Sequence, residues 1–274
     1  MEKGRYRTNW TFADRSAPAE AVFKMIEQAG SQMGPVANKE NFLRYTTFLF
    51  LTGARRIEPF LKPPTIERFE EDGHTFFKVT KANAKHFQGN QMRCKECLAV
   101  FPNRKSMRSH QQATGHLGAM YTAERKVVST IILAEDGDRF ELALWSFLLQ
   151  GRERLTIDFS DLLPKKARLA LAEPINIKLL ESGCTSLSRR FARTFRASLN
   201  DGKAIHENSS VVPHQLRHLR AYSLLVTNGW PRPLAMKVIG WDTGAMLDRY
   251  ADIASALGTK ELMAQYRSLL AGRK

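Results

Sequence analysis

The sequence predicts a mainly helical α+β domain with a small antiparallel sheet, interrupted by a small ββα module. Three observations carry this reading. Apolar residues recur at helical spacing over most of the chain. Two alternating runs, Ile66–Glu71 and Thr75–Lys81, flank an Asp72-Gly73 pair that suits a tight hairpin turn. Two cysteines and two histidines then fall between Cys94 and His116, and only after them does a third strand-like run appear, Lys126–Leu133.

The elements follow in order. Residues 1–14 read as a flexible basic tail. Pro18–Ala29 and Asn38–Thr52 have helical periodicity, with Asn38 a candidate N-cap and Gly53 closing the second helix. Pro59, Pro63 and Pro64 punctuate the segment before the first strand. After the third strand, Asp138–Leu149, Ser186–Leu199, Pro213–Thr227, Leu234–Ile239, Ala245–Tyr250 and Thr259–Leu270 read as helices. Arg152–Asn176 fits no element. The domain reading is a tail at 1–14, a discontinuous body at 15–89 and 121–255, an insert at 90–120 and a C-terminal helix at 256–274. A hairpin tip suits an insertion because its ends are already close.

The chain has 274 residues, enough to bury a sizeable core, and a net charge of +15. With a sequence pI near 10.0, the surface carries a basic field. Nucleic acid is the commonest partner for such a field; an anionic membrane surface or plain solubility is the alternative. No apolar run approaches the roughly 18–20 residues of a spanning helix, and the N-terminus has no signal-peptide pattern. Three cysteines are too few for a disulfide framework. Cys184 reads as a small buried hydrophobe.

Cys94-x-x-Cys97 is followed by twelve residues, His110, five residues and His116. This is Cys2His2 zinc spacing, with Phe101 and Met107 at the places of the finger's two core residues. A unit this small has almost no core, so Zn2+ would supply most of its folding energy. Its helix should begin near Arg104. The usual base-reading positions then hold Asn103, Ser106 and Ser109, which are short, whereas Arg104, Lys105 and Arg108 suit phosphates. The His spacing and the "TGH" ending resemble the U1-like fingers that recognise duplex shape. Backbone or shape contact is therefore expected; docking onto a protein is the alternative.

Three further clusters are individually weak. "LTGARRIEPF" sets Arg55 just past a helix end, with Glu58 three residues on to orient its guanidinium. "PHQLRHLRAYSLL" puts His214 and Arg217 on one helix face. "IGWDTGAMLDRYADI" carries Trp241 and, nine residues later, Tyr250. Together and in this order they resemble the tyrosine recombinase (phage integrase) family: TGxRxxE, a lysine on a hairpin, HxLRH, then LG(H/W) and a tyrosine. Leu216 and His218 complete the HxLRH positions, and the resemblance spans about residues 38 to 252 without the finger.

The residue types suit phosphodiester chemistry. Arg55 and Arg217 can each fork onto non-bridging oxygens and stabilise a crowded, negatively charged transition state. Tyr250 offers an oxygen nucleophile. His214 can accept its proton or hold a phosphate oxygen. Trp241 can donate its indole N–H and wall off water. A lysine can protonate the leaving oxygen; Lys78, Lys81 and Lys85 are the candidates, Lys81 fits best and Lys85 next, because the finger replaces the short turn that would fix the register. Glu58 and His218 are supporting residues. The resemblance implies the recombinase catalytic fold, a 3′-phosphotyrosyl intermediate, no nucleotide cofactor, double-stranded DNA as partner and a dimer-to-tetramer synapse. It also implies a cytoplasmic enzyme in a prokaryote or virus, or a nuclear one in a eukaryote. A type IB topoisomerase, or a nucleic-acid-binding protein on an inactive scaffold, are the alternatives.

Two more features bear on DNA. In "SLSRRFARTFRASL", Leu187, Phe191 and Phe195 form one stripe while Arg189, Arg193 and Arg196 lie on another side, as a phosphate-tracking helix would. Family members often carry a preceding DNA-clamping domain, for which this sequence has no room; either that half is missing or the finger partly substitutes. Thr259–Leu270 would dock on a neighbouring protomer or on its own domain.

Overall fold

A helix buried along most of its length lies at the centre of the molecule, and the other elements are arranged around it. The computed structural model describes residues 18–34, 38–83, 92–101, 104–121, 127–134, 138–171, 177–199 and 212–241. The tail at 1–14 and the helices expected at Ala245–Tyr250 and Thr259–Leu270 lie outside the described residues.

Helix α1 (Pro18–Gln32) buries Val22, Met25, Ile26 and Ala29, one face at helical spacing. Helix α2 (Lys39–Thr52) is buried without a break from Phe42 to Thr52. Its threonines avoid orphaned hydroxyls by donating back one turn: Thr46 to the Phe42 carbonyl, Thr47 to Leu43 and Thr52 to Phe48. Asn38 occupies the position before α2 but does not cap it. Its backbone is left-handed and its amide donates instead to the Asp161 carbonyl at 3.0 Å. After the short helix α3 (Glu58–Leu61), strands β1 (Thr65–Glu71) and β2 (His74–Ala82) form the expected hairpin. Asp72 and Gly73 both have positive φ, 53° and 78°, as a two-residue turn matching strand twist requires.

The third body strand, β6 (Val127–Leu133), pairs antiparallel with β2 from Phe76↔Leu133 to Ala82↔Val127. Between these strands lies a separate three-stranded sheet of β3 (Met92–Cys94), β4 (Val100–Phe101) and β5 (Ala119–Tyr121), with helix α4 (Arg104–Thr114). The insert is therefore ββαβ rather than ββα. The extra strand β5 pairs with β3, Met92↔Tyr121 through Cys94↔Ala119, so the insert's two ends leave side by side.

Helix α5 (Arg139–Leu149) starts at Asp138, whose carboxylate accepts from the Phe140 and Glu141 backbone N–H groups at 3.0 Å each. The segment with no sequence assignment supplies strand β7 (Arg154–Thr156), which pairs with β1 and gives the body sheet the order β6-β2-β1-β7. A 3₁₀ turn (Ser160–Leu162), the short helix α6 (Lys165–Arg168) and a second 3₁₀ turn (Leu169–Leu171) follow. Helix α7 (Ile177–Leu199) begins nine residues before the expected start at Ser186, and Leu187, Phe191 and Phe195 are buried. Helix α8 (His214–Tyr222) continues into a π-helical turn, Ser223–Thr227, and α9 (Arg232–Ile239) ends at Gly240. The fold is α+β. Among the described residues no helix is long and apolar enough to cross a membrane.

Among the described residues the body has one core. Phe77 of β2 stacks on Trp145 of α5 at 4.2 Å between ring centroids, joining sheet to helices. The insert has its own small cluster of Met92, Cys94 and Met107, with Phe101 packed against it.

Candidate functional site

The α2 helix ends because Gly53 turns left-handed (φ 57°), and its N–H bonds the Phe50 carbonyl. This turn exposes the carbonyls of Thr52 and Gly53 to side chains arriving from elsewhere, and two cations take them. Lys81 donates from Nζ to the Thr52 carbonyl at 3.1 Å. Arg217 donates from Nη1 to the Gly53 carbonyl at 2.5 Å, and from Nη2 to the Gly240 carbonyl at 3.4 Å. Thus β2, α8 and the end of α9 converge on one helix terminus, whose partial negative charge favours cations.

Glu58 joins Lys81 to Arg55. Its Oε2 accepts from the Arg55 backbone N–H at 3.1 Å and lies 3.4 Å from Lys81 Nζ, while its Oε1 lies 3.8 Å from Arg55 Nη1. Glu58, Lys81 and Arg217 are 2%, 3% and 2% exposed, so these interactions occur with little water. The Arg55 side chain is 28% exposed and opens to solvent. The loop between them is fixed on its far side: the Tyr45 hydroxyl donates to the Arg56 carbonyl at 2.9 Å, and Arg56 Nη1 donates to Ser188 Oγ of α7 at 3.1 Å.

Strand alternation separates the candidate lysines. Phe77, Val79 and Lys81 share the inner face of β2, whereas Lys78 is exposed. Lys81 therefore joins the cluster and Lys78 does not; Lys85 lies outside the described residues. Burial, opposed in part by Glu58 and reinforced by Arg217 and Arg55, holds the Lys81 ammonium below its ordinary value.

His214 stands at the start of α8, open to solvent on one side. Partial desolvation, then the charges of Arg217, Arg55 and Arg56, push its imidazole below the usual value. His218 meets it edge to face at 4.6 Å between centroids. The Trp241 ring lies 5.7 Å from the Arg217 guanidinium carbon, within cation–π range. Arg55, Lys81, His214, Arg217, Trp241, Glu58 and His218 are thus brought to one place. Tyr250 lies outside the described residues.

In the insert, Cys94, Cys97, His110 and His116 present ligand atoms that all lie within 4.8 Å of one another. Cys94 Sγ is 3.4 Å from His116 Nδ1, Cys97 Sγ is 3.4 Å from His110 Nε2, and the two histidine nitrogens are 3.2 Å apart. A tetrahedral ion with bonds of about 2.0–2.3 Å would hold such atoms roughly 3.3–3.8 Å apart, so the set fits a metal. The backbone of Cys97, and then that of Glu96, help lower the Cys94 thiol to about 6, which favours the ligating thiolate. Phe101 packs on His110 at 4.6 Å.

Of the residues expected to touch nucleic acid, Lys105, Arg108, Arg189 and Arg193 are exposed. The side chains of Arg104 and Arg196 lie outside the described set. Cys184 is buried as expected, and burial pushes its thiol up to about 12.

Nothing in the sequence marks the two backbone acceptors, Thr52 and Gly53, because carbonyls carry no residue signature. The wholly buried ion pair of Arg220 and Glu141 beside the cluster is equally unannounced. A basic residue at every third position along "HQLRHLR" is the only trace of it. Comparison of the chain with protein-family models, curated proteins and solved structures finds no match.

Proposed function

We propose that the chain is a tyrosine recombinase, a DNA breaking-and-rejoining enzyme working through a 3′-phosphotyrosyl intermediate. The observation that carries this reading is the convergence of Arg55, Lys81, His214 and Arg217, from three distant parts of the sequence, around the Gly53 turn. A cluster of cations over a single carboxylate is costly to assemble unless it meets an anion. A phosphodiester is such an anion, and the basic surface suits the polymer that carries it.

In this reading Arg55, at the solvent-facing rim, and Arg217, on the floor, stabilise the equatorial oxygens of the transition state. Lys81, already biased toward giving up its proton, protonates the departing 5′-oxygen. His214, biased toward the neutral form, accepts the phenol proton of Tyr250 or holds a phosphate oxygen. Trp241 backs Arg217 and limits water. Attack by a 5′-hydroxyl on the phosphotyrosyl bond reverses the chemistry on another strand, so the phosphoester bond is conserved and no nucleotide is consumed. The recombinase fold, the duplex DNA partner and assembly into a dimer or tetramer belong to the same proposal.

Zn2+ is the metal we assign to Cys94, Cys97, His110 and His116; when bound it supplies folding energy to the insert. The insert's residues would then set Lys105 and Arg108 against the duplex near the hairpin that carries Lys81.

Incubation with nicked duplexes tests the reading. Wild type should give a protein–DNA adduct that resists denaturation, Tyr250→Phe should give none, and Arg217→Ala should bind without cleaving. Absence of adduct from wild type across a randomised duplex library, with binding retained, would favour a binding protein on the same scaffold.

A further inference from the structure

Beneath the cationic cluster lies a second tier of buried charge for which the proposed reaction has no use. Arg220 and Glu141 are each 0% exposed. The guanidinium donates in parallel, Nη1 to Oε2 and Nη2 to Oε1, both at 2.8 Å. This two-pronged geometry fixes direction as well as distance. Arg220 follows Arg217 by three residues on α8, as Arg217 follows His214. The three side chains therefore fan over one broad side of the helix, and holding one sets the rotation of the others.

Glu141 reaches further. The Trp145 indole N–H donates to its Oε1 at 3.4 Å, and Trp145 stacks on Phe77, on the same strand face as Lys81. The Arg220 guanidinium carbon lies 5.7 Å from the Phe50 ring centroid, two residues before Thr52. One carboxylate thus connects α8, which carries His214 and Arg217, to β2, which carries Lys81, and to the end of α2, which presents the receiving carbonyls.

Stability alone does not account for such a pair. A buried ion pair usually contributes little beyond what a well-packed apolar pair would, and its best attested use is to fix one arrangement among several. Among the described residues Arg220 Nε has no hydrogen-bond partner, so the pair keeps an orphaned donor that an apolar replacement would remove.

We infer that Arg220 and Glu141 are positioning residues, which lock the rotation of α8 against α5 and β2 so that Arg217, His214 and Lys81 address the same phosphate. The inference rests on the proposed phosphodiester reading for its catalytic consequence, though the geometry of anion binding tests it separately. The informative variant is the double replacement Arg220→Met with Glu141→Leu, which removes both charges together and leaves behind only the Trp145 indole N–H, whose bond to Glu141 is a long 3.4 Å. It is prepared as the full chain with zinc bound, and its fold is checked by near-UV circular dichroism and thermal unfolding.

Two measurements follow. One is single-turnover adduct formation at saturating nicked duplex, with duplex affinity measured alongside. The other is titration with inorganic phosphate, followed by the ring resonances of His214. The expected result is wild-type duplex affinity and thermal midpoint, adduct formation slowed by about 100-fold, and phosphate affinity weakened by about tenfold. Wild-type adduct rate and phosphate affinity in the double variant would overturn the inference and leave the pair a packing feature. If wild type forms no adduct yet the variant loses phosphate affinity, the recombinase reading falls and the positioning role stands. Should the double variant lose its near-UV signal, Arg220→Lys replaces it, keeping the charge without the fork, with the same two outcomes.

Discussion

Lys81 Nζ lies 3.4 Å from Glu58 Oε2, and both side chains are almost fully withdrawn from solvent. The same carboxylate oxygen accepts the Arg55 backbone N–H. One acidic side chain therefore ties the hairpin to the arginine loop. Glu58→Gln should leave Lys81 buried beside Arg55 and Arg217 without a counter-charge. Breaking a buried pair by removing one partner costs about 3–5 kcal/mol. For a body of this size the thermal midpoint should fall on the order of 10 °C. Thermal unfolding by far-UV circular dichroism checks this; a midpoint unchanged from wild type would mean that the carboxylate neutralises nothing of consequence.

The depressed imidazole of His214 gives a pH dependence of definite sign. Because its folded value lies below the ordinary 6.5, the unfolded chain binds more protons between those two values. Stability therefore rises with pH across that window, and the full cost of charging the ring is present below it. His214→Gln should flatten this part of the profile, read as urea-unfolding free energy against pH. Inorganic phosphate should act the other way. An anion between Arg55 and Arg217 offsets their charge and raises the His214 value, so the ring resonances should titrate at higher pH when phosphate is bound.

Much of this site is legible in the sequence because short-range spacing determines it. Gly53 closes α2, His214 and Arg217 follow on a helix, and the Asp72-Gly73 turn fixes which face of β2 carries Lys81. The rest depends on long-range geometry. Thr52 and Gly53 act through carbonyls, which every residue has. Arg220 and Glu141 are 79 residues apart and meet only once α5 and α8 pack. Strand β7 is three residues long, and its pairing with β1 rather than its composition makes it a strand. Asn38 has the residue type of a cap, but Asp161 supplies a competing acceptor for its amide. The third strand of the insert follows from pairing across β3, which residue spacing does not report.

Metal removal should separate the two sheets. The insert's core consists of Met92, Cys94 and Met107, with Phe101 and Ala119 against it, too little to fold without a metal. Chelation, or Cys94→Ser with Cys97→Ser, should abolish amide protection in β3, β4 and α4. The body should remain folded, because opening a longer loop between Ala82 and Val127 costs on the order of 1 kcal/mol. Hydrogen exchange reads both effects in one experiment, and duplex affinity should fall in parallel. Protection that survives in a zinc-free insert would contradict the metal assignment.

The exposed arginines of α7 should act through phosphates alone. Leu187, Phe191 and Phe195 hold the helix to the core, leaving Arg189 and Arg193 outside. The variant Arg189→Ala with Arg193→Ala should unfold like wild type, to within about 0.5 kcal/mol. Its duplex affinity should weaken for all sequences alike. The slope of log affinity against log salt should become shallower by about 0.9 for each phosphate that an arginine no longer neutralises, or about 2 for the pair. Fluorescence polarisation over a range of salt concentrations gives this slope directly; an unchanged slope would place the DNA on another face.

Gly53 is under two constraints that can be separated. Its φ of 57° disfavours any side chain, at roughly 1–2 kcal/mol. A Cβ there would also stand 3.3 Å from Ile239 Cγ1 and 3.4 Å from its Cα, a tight contact that α9 must relieve by giving way a few tenths of an ångström. Gly53→Ala should therefore destabilise through both the backbone and the crowding. Adding Ile239→Ala removes the side-chain part of the clash but not the backbone strain, so the two substitutions should be non-additive in urea unfolding. Adduct formation should respond differently. The Gly53 carbonyl anchors Arg217, and α9 ends at the Gly240 carbonyl that receives its other nitrogen. Any shift of the turn moves both anchors, so cleavage should stay slow in the double variant even where stability partly returns. Recovery of cleavage in proportion to stability would show that the turn serves folding alone.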